Sequence, residues 1–133
     1  MTRVVVDTNV LVSAFLANGK PRELLLKLLE KHTVILSSQM LAELADVLSR
    51  DKFAITSTQI ERFISMLLQS ATIVAVDSKL KVVLEDPEDD IVLNAAFKGK
   101  ADYIVSGDKH LLSLKKFENI EVLKAAQMLE ILS

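Results

Sequence analysis

An aspartate ends the first apolar run of the chain, Val4-Val5-Val6-Asp7-Thr8-Asn9, and a second apolar run opens at Val10. In an α/β protein this is a buried strand that delivers one carboxylate to its C-terminal tip, where such sheets place their sites. A carboxylate there is costly unless something positive meets it. Three later acidic positions can join it. Glu43 falls near the start of a helix after the second strand, Asp90 at a helix start, and Asp108 directly after the fourth strand. In a parallel sheet these elements share one edge, so residues far apart in sequence can meet in one crevice. Several carboxylates a few ångströms apart repel and resist ionisation. A hard divalent cation relieves that repulsion; Mg²⁺ or Mn²⁺ fits oxygen donors and retains water for chemistry. The chain has no cysteine and two histidines. Disulfides, thiolate catalysis, zinc fingers and iron–sulfur clusters are thereby excluded.

Each position also has a plainer role. Asp7 can cap the following helix together with Thr8 and Asn9, and Glu43 can face solvent. Asp90 closes the acidic segment Glu85-Asp86-Pro87-Glu88-Asp89-Asp90, which the helix dipole alone favours at a helix start. Asp108 can cap a short helix from His110 to Leu114. Four neutral residues stand ready to support a site. Ser106 can donate to a carboxylate or a phosphate, as can Thr8 and Asn9 beside Asp7. Asn94 lies one helical turn after Asp90, on the same face. Lys109 and His110 follow Asp108, but a solvated lysine and an unpartnered histidine are the commoner cases. Arg3, Lys20, Arg22, Arg50, Lys52, Lys98, Lys100 and Lys109 are the basic residues that can meet a polyanion.

The elements that position these residues follow from periodicity. Strands are predicted at 4–6, 33–36, 72–76, 103–105 and 120–122, alternating with helical segments. Ser37 or Ser38 caps one helix, Thr56 and Gln59 form a capping box for the next, and Pro21 suits a first turn. Gly99 stops the helix that carries Asp90, and residues 80–90 are the least defined stretch. The order implies a three-layer α/β/α sandwich around a mostly parallel five-stranded sheet, one domain over residues 1–133.

Half of the 133 residues are apolar and 26% are charged, the balance of a globular chain. No apolar run approaches the roughly 20 residues that span a bilayer, and Asp7 and Asn9 interrupt any signal-peptide core. The expectation is a cytoplasmic protein with no membrane partner. A formal net charge of -2 argues against a histone-like binder, though not against a nuclease whose acidic centre is neutralised by cations. Five phenylalanines and one tyrosine offer no evident stacking platform for bases. Three glycines in all, with no Gly-x-Gly-x-x-Gly turn and no P-loop, argue against dinucleotide enzymes and P-loop NTPases. An aspartyl nucleophile at Asp7 would want a second aspartate where Asn9 stands. A receiver-like pocket lacks its lysine. A binding module with an inactive acidic site is the non-enzyme alternative.

These residues resemble the PIN-domain family, which includes the ribonuclease toxins of toxin–antitoxin pairs. The likeness begins with Val6-Asp7-Thr8-Asn9-Val10-Leu11 and continues with Glu43. It then runs through Asp86-Pro87-Glu88-Asp89-Asp90-Ile91-Val92-Leu93-Asn94 and Ala101-Asp102-Tyr103-Ile104-Val105-Ser106-Gly107-Asp108-Lys109-His110. The last segment is the most diagnostic. The resemblance places the acidic site on Asp7, Glu43, Asp90 and Asp108, and Leu93 sets the register in favour of Asp90 over Asp89. It implies Mg²⁺- or Mn²⁺-dependent cleavage of RNA. Ser106 stands where the family often has threonine, which keeps the hydroxyl. The helical stretch after Arg50 resembles predicted nucleic-acid-binding members classed as toxin components, whose partner is an antitoxin protein. Separately, the segments around Leu24 to Leu29 and Phe63 to Leu68 carry more large apolar side chains than one face needs, which points to a homodimer.

Overall fold

Val4, Val5 and Val6, Val34, Ile35 and Leu36, and Ile104 and Val105 are each exposed by 1% or less. Runs buried on both faces make the central strands of a parallel sheet. The computed structural model describes residues 2–75 and 87–133, with the backbone alone over 87–89. In chain order the elements are β1 (Arg3–Val6), α1 (Thr8–Leu16), α2 (Lys20–Lys31), β2 (Thr33–Ser37), α3 (Ser38–Leu48), α4 (Ser57–Ser70) and β3 (Thr72–Val74). They continue with α5 (Pro87–Lys98), β4 (Tyr103–Val105), α6 (Lys109–Leu114), β5 (Lys116–Phe117), β6 (Ile120–Leu123) and α7 (Ala125–Leu132).

The strand order is β3-β2-β1-β4-β6-β5, parallel except for β5 against β6. From β1 the chain steps outward to β2 and β3, then returns past β1 to β4. Right-handed crossovers therefore put the β1–β2 helices and α5 on opposite faces. The direction of travel reverses between β1 and β4, and ligands of open α/β sheets bind at that point.

Among the described residues the sheet has six strands where five were expected. The extra one, β5, is two residues long and forms a hairpin with β6 through Glu118 and Asn119, both at positive φ (49° and 69°). Two-residue hairpins favour that backbone. Neither residue is glycine, so the turn carries no strong sequence mark. Two helices start earlier than the apolar pattern suggested. α1 begins at Thr8, so Asp7 holds the N-cap position itself. α5 begins at Pro87, whose fixed φ suits a first helical residue. Val76, the expected end of the third strand, and residues 80–86 lie outside the described residues.

The expected caps are in place. Ser37 Oγ accepts from Met40 N at 3.2 Å, and Thr56 and Gln59 close a reciprocal capping box. Gly99 is required where α5 stops. A Cβ there would lie 2.6 Å from Ile35 Cγ2 and 3.0 Å from the Ala95 carbonyl.

Candidate active site

Asp7 and Ser106 follow directly on the two strands that flank the reversal point. Val6 pairs with Val105, and the ladder runs one step further, with Asp7 N donating to Val105 O at 2.9 Å. Asp7 is 6% exposed and Ser106 1% exposed. The Ser106 hydroxyl donates to Asp7 Oδ2 at 2.7 Å and accepts from the backbone N–H of Asp108 at 2.9 Å. One hydroxyl thus ties a buried carboxylate to the start of the segment that carries a second. A Cβ at Gly107 would meet nothing within 4 Å, so the space around this two-residue step does not itself demand glycine.

Burial raises the Asp7 pKa above the ordinary aspartate value, because a low-dielectric site disfavours the charged form. The Ser106 hydrogen bond and the backbone N–H groups of Thr8 and Asn9 oppose that shift, and the charge of Asp108 adds to it. Asp7 occupies the N-cap of α1, and its well-formed side-chain hydrogen bond is with Ser106 rather than with the first-turn N–H groups, whose influence on it is the weaker one. Asp108 does cap: its Oδ1 accepts from His110 N at 3.3 Å at the start of α6. Its Oδ2 is buried.

Asp90 reaches the same edge from α5. The far end of that helix lies beside the start of β1, where the Arg3 guanidinium donates twice to Gly99 O at 3.0 and 2.8 Å. Nine residues back along the helix from Gly99, at Asp90, is about 13.5 Å. Four residues of strand, from Arg3 to Asp7, is about 13 Å. Asp90 is therefore level with Asp7. Leu93 is fully buried and anchors the helix in the core. Asn94 does not aim its amide outward; Nδ2 donates back to the Asp90 carbonyl at 2.9 Å. Glu43 lies in the second turn of α3, half-buried, after β2 ends at the same edge. Thr8 is buried and Asn9 exposed in the first turn of α1. Among the described residues no three acidic or histidine side chains converge closely enough to share an ion. The pair brought together is Asp7 and Asp108.

That pair still suits a hard cation. Both donors are carboxylate oxygens, and one is a buried carboxylate whose ionisation its neighbour further disfavours. Mg²⁺ commonly takes one or two carboxylates and completes its shell with water and phosphate oxygens.

A profile described as PIN domain matches residues 3–110. The chain belongs to the PIN-domain family. Its fold is also that of solved structures. In the crystal structure of VapBC2 from Rickettsia felis bound to a DNA fragment from their promoter, one chain matches with a TM-score of 0.64 and 19% identity. The match covers 91% of this PIN domain and 97% of that chain. No curated protein sequence is significantly similar.

Four of the eight basic residues expected to face a polyanion make other contacts in this PIN domain. Arg3 sits at the opposite sheet edge. Arg22 caps the end of α1, donating to Ala14 O at 2.8 Å and Phe15 O at 2.7 Å. Arg50 pairs with Asp46 at 3.8 Å, and the Lys52 ammonium lies 5.1 Å from the Phe53 ring centroid. Lys98 and Lys100 flank Gly99 at the far edge. Lys20 and Lys109 stay exposed. No motif or periodicity singles out Lys124. Its signal is register: Leu123 pairs with Val105, so Lys124 stands level with Ser106 and Asp7, one residue past its strand.

Proposed function

We propose that this PIN domain is a metal-dependent endoribonuclease, the toxin of a toxin–antitoxin pair. One observation carries the reading. A buried carboxylate, Asp7, meets Asp108 through the Ser106 hydroxyl at the reversal point of the sheet. Asp7 and Asp108 would hold Mg²⁺ or Mn²⁺, with Asp90 and Glu43 brought to the same edge by α5 and α3. A cation held there would supply polarisation of the scissile phosphate and a lowered pKa for an attacking water. Asp7 supplies fixed negative charge, and the Ser106 hydroxyl and the Thr8 and Asn9 amides favour its charged form. Family membership supports the nuclease class, and the residue pattern shared with ribonuclease toxins supports RNA and an antitoxin partner. The likeness to a chain of the VapBC2 structure supports the fold on which this reading rests. Cleavage of a mixed RNA pool is expected to stop in EDTA and to return with Mn²⁺. Cutting that survives full chelation would overturn the metal mechanism, and cutting of DNA but not RNA would overturn the ribonuclease assignment.

The absence of a third converging acid among the described residues favours one rival, a binding module with an inactive acidic site. A folded protein that binds Mn²⁺ and a partner but cuts neither RNA nor DNA would establish it.

The same reading includes a homodimer. Leu24, Leu25 and Leu28 of α2 are buried, but Leu26 is 59% exposed and Leu68 of α4 is 52% exposed. Between these helices a groove of about 230 Å³ is lined by Phe15, Leu25, Leu26, Phe63 and Met66. Apolar surface of this kind is covered by association. Light scattering across a concentration series is expected to give twice the 14.7 kDa chain mass; the monomer mass throughout would refute it.

A further inference from the structure

A cleft of about 240 Å³ opens beside Ser106, between α1, the segment after β4 and the start of α7. Its lining has three chemistries. Val10, Pro21 and Ala125 are apolar; Asn9 and Ser13 bring an amide and a hydroxyl; Lys124 brings a cation. Asn9 and Ser13 are four residues apart on α1, hence on one face.

Placement ties the cleft to the carboxylates. Asp7, Ser106 and Lys124 form one row, each directly after its strand. Neighbouring strands lie roughly 4.8 Å apart, so the Lys124 backbone is two spacings from that of Asp7. Among the described residues Lys124 enters no ion pair. A lysine that lines the cleft beside the carboxylate row and sits outside any ion pair of the described residues is suited to a ligand that is itself anionic. The volume falls short of the roughly 300–1,000 Å³ that encloses a drug-sized ligand. It has room for one planar ring system between apolar walls, with Asn9 and Ser13 available to its polar edge.

We propose that this cleft is a nucleobase subsite: it takes one base of the substrate strand beside the bond that is cut, and Lys124 meets a phosphate of that strand. The inference rests on the nuclease reading of the Asp7–Asp108 pair. Apolar side chains hold an extruded base in the same way elsewhere. The subsite gives the protein a means of choosing bases that the carboxylates lack.

Two variants test it without touching those carboxylates. Ser13 is exposed on α1, so Ser13→Trp fills the cleft from a surface position. Leu16→Trp, 42% exposed on the same helix and outside the cleft, is its control. With Mn²⁺ and single-stranded RNA, Ser13→Trp is expected to lower kcat/KM about tenfold, at the low end of what one held base contributes. It should also alter the base distribution at the nucleotide flanking the cut, while Leu16→Trp leaves both unchanged. Lys124→Gln is expected to bind labelled RNA several-fold more weakly in Ca²⁺ buffer. The slope of log affinity against log salt should fall by about 0.7, one single-strand phosphate contact, and Lys124→Arg should restore it. Unchanged kcat/KM and cut-site profile in Ser13→Trp overturn the base subsite. An unchanged slope in Lys124→Gln overturns the phosphate contact. A wild-type protein that neither binds nor cuts RNA overturns the nuclease reading itself, and the subsite with it.

Discussion

Asp7→Asn is expected to lose RNA cleavage by more than about 100-fold and, in EDTA at neutral pH, to melt above the wild type. The activity loss follows from the place of the carboxylate. Even an outer-shell partner of a metal ligand is worth roughly 10–100-fold, and Asp7 is proposed as a ligand. The stability gain follows from the sign of the pKa shift. Burial raises the Asp7 pKa, so the folded state holds the proton more tightly than the unfolded state. The stability contributed by the protonated carboxyl is complete below the ordinary aspartate range and is lost as pH rises through the folded value. Asparagine stays neutral throughout, keeps the volume, and its amide oxygen can still accept from Ser106. The stability difference should therefore be small in acid and widen to a plateau towards neutral pH. Each ~1 kcal/mol gained raises Tm by roughly 3–5 °C at this chain length. Thermal melts of both proteins at several pH values, with cleavage assays on the same samples, check both halves. Wild-type activity in the variant refutes the site, and a gap that does not narrow on acidification refutes the burial argument.

The position of this site was legible because its strands are short and continuous. Val4 to Val6 and Ile104-Val105 have no polar alternation, as strands buried on both faces must, so the first polar residue after each run marks the sheet edge. Asp7 and Ser106 are those residues. The Thr56–Gln59 capping box and the Gly99 stop were legible for the same local reason. What depends on partners across the fold was not. Asn94 shares a helix face with Asp90, but only the structure shows its amide folded back onto the Asp90 carbonyl. Arg3 and Arg22 look like candidates for a polyanion until their guanidinium groups are found on backbone carbonyls. β5 is too short to show a period, and its turn puts Glu118 in a left-handed conformation without glycine. Lys124 became visible only when the pairing of β4 with β6 fixed its level.

Ser106→Ala is expected to lower cleavage by about 10–100-fold, the range for removing a partner that orients a metal ligand, and to destabilise the protein, the reverse of Asp7→Asn. Two hydrogen bonds depend on this hydroxyl, to Asp7 Oδ2 at 2.7 Å and from Asp108 N at 2.9 Å. With Ser106 1% exposed, water does not readily replace it, and a buried group left without its partner costs about 1–3 kcal/mol. The electrostatic consequence is separable from that loss. The hydroxyl lowers the Asp7 pKa; without it, burial and the charge of Asp108 act with less opposition, and the carboxyl charges only at a higher pH. The acid limb of the pH–rate profile should therefore move upward, with part of the lost activity recovered as pH rises. Ser106→Thr retains the hydroxyl and should keep the limb in place, even if the added methyl costs some stability in so tight a site. Profiles of the three proteins at saturating Mn²⁺ distinguish positioning from mere folding, because a partly unfolded enzyme loses rate without moving its limb. Ser106→Ala with an unshifted limb and near wild-type activity would show that the hydroxyl does not set the charge on Asp7. The link between the two carboxylates would then have to run through the protein by another route.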